Sequence, residues 1–504
     1  VTTRLQGTLR RIAAVGGTAV LAVLLPMDAN GQEDPSAISL REAVNLALAN
    51  SRTLADAEHG LEGARQQVRE AWSNVMPDIS LNATYSRNLL LQQIFLPCEF
   101  FDPNCTPGDT RPVQVGSDNT WTAALSVSQP LFEYGVFVGV GAAGRYEALQ
   151  EEIVRGTSQQ VVTAVRQAYF TALLALEELR LTEESIARVR RNLVETRARY
   201  EAGLVSEYDV LRFEVELATV SANLERAENQ VAAAKRVLLV EMGLEPDADI
   251  ELTGRLDEVN PDSLEANSLE NQELILLAGI PGVLQHQVED LIGTALLRRT
   301  DIRQLEATVS LEEARVKSVK GQFYPTLSLF TNYNVQAQQN GGPNFFGSTN
   351  NRTTSAAAGL QVSMPIFQGF GRFAQVHQAE AVVRQNETRL ERMEQETANQ
   401  VRTLFDGAQE SLSRARSQRR AVSQAQRGYE IASAEYGEGI GSQLQVTDAE
   451  VALRQAEYNY ALAIYDHLLA RARLELATGM VPDAAGEFPA SWDQVEINGE
   501  DNVR

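Results

Sequence analysis

Residues 139–144 read Gly139-Val-Gly141-Ala-Ala-Gly144, the spacing with which a glycine turn lays backbone N–H groups on a pyrophosphate. That chemistry needs a buried parallel strand before the glycines and an acid about 20 residues beyond them for a ribose hydroxyl. The preceding stretch alternates with polar residues, and no acid stands near Thr163. The matching segment later in the chain, Gly369-Phe370-Gly371-Arg372, lacks the third glycine. A glycine-eased swing between two elements accounts for both copies. His59, His286, His377 and His467 have no metal-ligand spacing, and His467 falls on an apolar helix stripe, where a hydrogen-bonded packing role fits. No Gly-x-Ser-x-Gly nucleophile segment occurs. The residues therefore imply no enzyme, no cofactor and no metal. Cys98 and Cys105 frame a loop bearing Pro97, Pro103 and Pro107. In an exported chain they read as a small disulfide-closed loop, the other reading being two free loop thiols.

Two further segments differ from these because each interrupts a long helical pattern. Tyr200-Glu-Ala-Gly203-Leu204-Val-Ser206 matches Tyr436-Gly-Glu-Gly439-Ile440-Gly-Ser442 at an offset of 236 residues. The glycine permits the left-handed backbone that ends a helix, and the serine can cap the next one. The same offset carries Val210 onto Val446, Glu214 onto Glu450, Leu238 onto Leu474 and Gly243 onto Gly479. Upstream, Pro130-Leu-Phe132 pairs with Pro365-Ile-Phe367 at 235, and Pro77-Asp-Ile-Ser80 with Pro325-Thr-Leu-Ser328 at 248. The chain is written twice, each half running helix, strand, strand, long helix, long helix.

The elements that must position these turns are legible from periodicity. Ile79, Leu81, Ala83 and Tyr85 alternate with Ser80, Asn82 and Thr84, and Trp121, Ala123, Leu125 and Val127 with Thr122, Ser126 and Ser128. Leu327, Leu329, Tyr333 and Val335 alternate with Ser328, Asn332 and Asn334; Leu360, Val362 and Met364 alternate with Gln361 and Ser363. One apolar and one small uncharged polar face fit a strand between lipid and water, although a soluble two-faced sheet alternates too. Four strands cannot close a barrel, which needs about eight, so oligomerisation follows. From Gly135 to Tyr200 and from Gly371 to Tyr436 there is no proline. Helices of that length extend about 100 Å. The next helix in each half carries apolar residues at alternating spacings of three and four, from Val210 to Leu238 and from Val446 to Leu474. These are coiled-coil heptads, rich in alanine.

The formal net charge of -23 excludes a nucleic-acid surface. Arg4, Arg10 and Arg11, an apolar run over 12–25, and Ala29-Asn30-Gly31 form a secretory signal cleaved after Gly31, the alternative being an N-terminal membrane anchor. After it, no run is long and apolar enough to span a bilayer as a helix.

Together these features resemble the TolC-type outer-membrane efflux and secretion channels, over nearly all the mature chain. The order and duplication carry the resemblance: Leu40-Arg-Glu-Ala43 with its long helix to Pro77, the paired strands, and both glycine turns. The implied fold is a membrane β-barrel joined to a long α-helical coiled-coil barrel, with two structural repeats per chain and four strands contributed to a shared 12-stranded trimeric barrel. The divisions are 1–31 signal peptide and 38–243 first repeat, with strands at 78–96 and 119–132 and helices at 135–201 and 206–243. An acidic equatorial segment, 244–287, follows. The second repeat is 288–479, with strands at 325–338 and 355–367 and helices at 370–437 and 442–478, and 480–504 is an acidic tail that also reads as disordered. The implied partners are two more copies of the chain, outer-membrane lipid, a periplasmic adaptor and an inner-membrane pump. The tip and adaptor contact falls on Gly203, Leu204, Ser206, Gly439, Ile440 and Ser442. Asp209 and Tyr436 match positions that tie neighbouring tip helices, and Asp448 matches an acidic pore position. Gln445 stands where a second gate aspartate can occur, and Gly441 where an arginine can serve as a latch. A periplasmic coiled-coil scaffold without a pore is the rival reading.

Overall fold

The computed structural model describes residues 37–101, 104, 106, 108–260, 279, 283–342 and 351–482. The expected signal peptide, part of the acidic segment and most of the tail lie outside them.

The order is β1 (Ala37–Ile38), α1 (Leu40–Asn50), α2 (Arg52–Ser73), β2 (Asp78–Arg87), β3 (Gln92–Pro97), β4 (Thr110–Val115), β5 (Asn119–Phe132), α3 (Tyr134–Glu201), α4 (Glu207–Glu241) and β6 (Glu251–Leu252). The second half follows as α5 (Val288–Arg298), α6 (Thr300–Gly321), β7 (Thr326–Gln339), β8 (Arg352–Ser363), α7 (Gly371–Gly437) and α8 (Gln443–Ala477). The helices α3 and α7 have 68 and 67 residues, and α4 and α8 have 35 each.

Four strands form one antiparallel sheet in the order β2-β5-β7-β8. Register carries the sequence alternation across all four: Leu81, Leu125, Tyr333 and Ala356 share one row, and Asn82, Ala124, Asn334 and Ser355 the next. Ile79, Leu81, Leu125, Tyr333, Leu360 and Val362 are exposed in the single chain, as an apolar outward face facing lipid would be. Among the described residues, strands β2 and β8 are both unpaired on their outer side.

The strand expected over 78–96 divides. Asn88 bonds the backbone of Asp118 and Ser117 at the end of β2, and after it the run Leu89-Leu90-Leu91 cannot continue a two-faced pattern. Residues 92–97 pair instead with 110–115 in a separate ribbon. Cys98 follows it, disulfide-bonded; its expected partner Cys105 lies outside the described residues. The strand expected over 355–367 starts at Arg352 and ends at Ser363, two residues before Pro365, which has no N–H for a ladder. The single helix expected from Leu40 to Pro77 is broken at Ser51, whose backbone is extended and whose hydroxyl caps Leu54.

The three glycines at 139–144 lie inside α3 and not in a strand-to-helix turn, so they neither cradle an anion nor make the swing. The chain turns at Glu133 in the first half, and at Gly369 and Phe370, both left-handed, in the second.

The heptad positions of α4 and α8 are all buried or half-buried. The largest cluster joins α1, α3, the C-terminal end of α4 and α8 with the short parallel pair β1–β6, and takes in Ile250, Leu256 and Val259 of the acidic segment. Gly243 and Gly479 end α4 and α8 with φ of 72° and 68°, and a Cβ at either would strike backbone, of Asn50 and Arg298 respectively. Glycine is required there both for the turn and for the close approach. Among the described residues no helix is long and apolar enough to cross a membrane.

Candidate functional site at the helical tip

Both glycine turns close in the same way. Gly203 (φ 76°) and Gly439 (φ 79°) donate to Tyr200 O and Tyr436 O, and Leu204 and Ile440 donate back to Arg199 O and Glu435 O at 2.9 and 3.0 Å. These six-residue caps satisfy the last carbonyls of α3 and α7. The residue after each glycine is usually folded against the helix, but Leu204 and Ile440 are 75% and 80% exposed.

The next helix starts with a reciprocal capping box in each copy. Asp209 Oδ2 accepts from Ser206 N and Oγ at 3.1 and 2.8 Å, and Gln445 Oε1 accepts from Ser442 N and Oγ at 2.7 and 3.2 Å. Two of the four expected gate residues, Asp209 and Gln445, are thus the third residues of two equivalent helices, where a carboxylate or amide satisfies an orphan N–H. Asp448, one turn on, is exposed.

Tyr436 is the hub of the tip. It is 8% exposed and packs in a cluster with Val189, Leu193, Val210, Phe213 and Val446, so that α3, α4, α7 and α8 meet on one ring. Its hydroxyl lies 3.1 Å from Thr196 Oγ1, Phe213 meets it edge-on at 6.4 Å, and the Arg199 guanidinium stacks 5.3 Å from its centroid. Arg199 also donates to Tyr436 O at 2.6 Å and to Gly437 O, placing a cation at the negative end of α7. Among the described contacts Tyr436 and Asp209 therefore bond other partners and not each other.

At Gly441, a Cβ would lie 2.9 Å from Tyr436 N and 3.0 Å from Glu435 Cβ. No side chain fits in this turn without moving backbone. Arg199 on the opposite helix supplies the guanidinium at the tip.

Just beyond Asp448 on α8, a charged layer joins α8 to α3, with Glu216 of α4 beside it. Glu450, 2% exposed, accepts from Ser185 Oγ at 2.5 Å and pairs with Arg188 at 3.4 Å, and Arg188 also reaches Glu457 at 3.5 Å. Burial raises the Glu216 carboxyl above its ordinary range, with the Glu450 charge adding to it, and burial likewise raises Glu457. Sequence reasoning missed Thr196, Arg199, Phe213 and this layer. The signals available were that Arg199 immediately precedes Tyr200 of the repeated segment and that Glu450 repeats Glu214.

His467 lies in the upper core, not in the tip. Its Nδ1 is 3.1 Å from Ser411 Oγ, and burial lowers its pKa to about 4, with the Arg471 charge assisting. Arg471 donates to Gly279 O, and the Arg166–Glu475 ion pair is buried nearby.

The sequence pattern described as outer membrane efflux protein matches residues 43–243 and 291–480. The alkaline protease secretion protein AprF of Pseudomonas aeruginosa is 25% identical over 462 residues, spanning 91% of this chain and 88% of that protein. The outer membrane protein TolC of Escherichia coli K12 is 22% identical over 466 residues, spanning 91% and 86%. The crystal structure of the Campylobacter jejuni CmeC outer membrane channel superposes with a TM-score of 0.67 at 17% identity, over 88% of this chain and 85% of that one, and so shares its fold. Matched in both halves over most of its length, the chain belongs to the outer membrane efflux protein family, an outer-membrane channel protein with a large helical periplasmic part.

Proposed function

We propose that this chain is one subunit of a passive exit duct, shared by three copies, serving a tripartite efflux pump or a type I secretion system. The observation that carries this is the four-stranded sheet with two open edges and a continuous apolar face, joined to helices about 100 Å long. Unpaired edges in lipid are untenable, so copies must share one barrel. Three copies give twelve strands, and the helices below them surround the lumen.

The duct closes at the glycine turns. Tyr436, bound to Thr196 and stacked under Arg199, holds the end of α7 to α3. Asp448, repeated three times around the axis, forms an acidic ring that favours cations, with Gln445 neutral and Asp209 a second carboxylate near the same level. Exposed Leu204 and Ile440 give an adaptor an apolar purchase at each turn, and the adaptor links the duct to an inner-membrane pump. No bond is made or broken in the duct.

Oligomer mass in detergent and conductance in planar bilayers test the reading together. A trimer that conducts ions is expected. A stable assembly without conductance favours the pore-free coiled-coil scaffold.

A further inference from the structure

Where β8 gives way to α7, the single chain leaves aromatic side chains uncovered. Ile366 is 92% exposed, Phe367 and Phe370 72% each, and Phe373 56%. Phe367 and Phe370 meet edge-on at 5.6 Å, Phe323 and Phe373 at 5.1 Å, and the Arg372 guanidinium lies 5.0 Å over the Phe323 ring. Arg372 is itself fixed by Gln322 O at 2.9 Å and Pro365 O at 2.8 Å. Together they line a cleft of about 240 Å³. Phe370 is the one non-glycine residue with positive φ among those described, at 62°. A left-handed phenylalanine is costly, and it persists only where its surroundings hold it.

The same junction occurs once inside the chain, and there it is filled. Where β5 gives way to α3, Tyr134 packs on Tyr324 at 5.0 Å, the latter just ahead of β7. The offset of 236 carries Tyr134 onto Phe370, and the offset of 248 carries Tyr324 back onto Met76. Met76 is 60% exposed and Trp72, near the end of α2, 53%; both precede β2, the other open edge of the sheet. The alternation of up and down strands lets β8 of one copy meet β2 of the next antiparallel, as every pair in the sheet does.

We infer that the cleft at Phe323, Phe367, Phe370 and Phe373 receives Met76 and Trp72 of a second copy of this chain, repeating between copies the contact of Tyr134 with Tyr324. The β5–β7 register sets Pro130 opposite Ser328, Ser128 opposite Phe330 and Leu125 opposite Tyr333. Translated by the offsets 235 and 248, Pro365 of one copy lies opposite Ser80 of the next, Ser363 opposite Asn82 and Leu360 opposite Tyr85. Apolar residues then fall on the outward face and small polar residues on the inner face across the junction, so the lipid face continues unbroken. The seat rests on the closed-ring reading of the function. It adds the residues that lock one copy to the next at the foot of the barrel.

Disulfide trapping in the full-length chain, extracted from outer membranes, tests it. Asn82→Cys with Ser363→Cys reads the strand register, and Met76→Cys with Phe370→Cys reads the seat. Both pairs should give a reducible trimer-sized band on oxidation, whereas Arg69→Cys with Phe370→Cys, about two helical turns away along α2, should not. If the wild type is a trimer and the strand pair crosslinks while the seat pair does not, the seat is overturned and the ring stands. Absence of any trimer overturns the ring itself. A Phe370→Gly variant adds a second measurement, because glycine relieves the left-handed backbone. Its trimer should nevertheless dissociate at lower temperature in detergent with unchanged helix content; equal or greater trimer resistance would show that Phe370 makes no contact between copies.

Discussion

The hydroxyl of Tyr436 lies 3.1 Å from Oγ1 of Thr196, and Thr196 is wholly buried. The pair spans 240 residues of sequence and joins the ends of α3 and α7, the two helices that part in the proposed opening of the tip. Tyr436→Phe keeps the ring in its cluster and removes the bond. The unmade hydrogen bond costs about 1 kcal/mol, and single-channel conductance of the purified duct should rise. Unchanged conductance together with unchanged thermal stability would remove this bond from the closed state.

Arg199 should matter as much by charge as by contact. Arg199→Gln leaves some hydrogen bonding to the carbonyls of Tyr436 and Gly437 but removes the cation from the C-terminal end of α7. A loss on the order of 1 kcal/mol is expected, read as a larger open probability that added salt no longer changes.

Gly441→Arg brings in a side chain for which backbone leaves no room. The turn must shift, so this substitution should loosen the tip and raise conductance. Gly441→Ala should act in the same direction, since the Cβ alone meets the obstruction. A tighter tip in Gly441→Arg would show that the turn rearranges to accept a latch.

Asp448→Ala should lower cation preference without altering folding, because the side chain is exposed. Gln445→Asp should do the opposite by adding a second carboxylate while preserving the capping box, whose third position accepts either group. Reversal potentials under a salt gradient measure both. A preference that neither substitution alters places the selective constriction elsewhere.

The upper core should lose stability in mild acid. The pKa of His467 is held at about 4, below the ordinary value of 6.5, so the unfolded chain binds a proton more readily than the folded one. Stability is complete above about pH 6.5 and falls as pH drops toward 4, by about 3 kcal/mol for this group. His467→Gln should flatten that part of the pH–stability curve measured by thermal unfolding in detergent.

Much of this protein is local, and local features are written in order along the chain. The glycine turns were readable because a left-handed cap needs glycine and the next helix needs a serine. The strands showed because period two has no other cause, and α4 and α8 because an apolar stripe at three and four residues buries one helix face. The same reasoning went wrong where locality is not enough. A glycine triplet at 139–144 looks like a turn but sits in α3, since helix propensity is weak against the packing of a long helix. The strand begun at Asp78 stops at Arg87, opposite the first residue of β5, Asn119; the run Leu89-Leu90-Leu91 hinted at the break, but where the pairing ends is fixed by the partner.

The sequence by itself determined the duplicated order of the elements and the positions of both tip turns, and its four-strand count is what the proposal of a shared barrel rests on. Only the tertiary structure decided what those turns are attached to. It set Tyr436 against Thr196, Arg199 and Phe213, assigned Asp209 and Gln445 to capping, and denied Gly441 a side chain. Contacts between residues some 240 positions apart depend on how four helices lie side by side, and no spacing within any one of them encodes that.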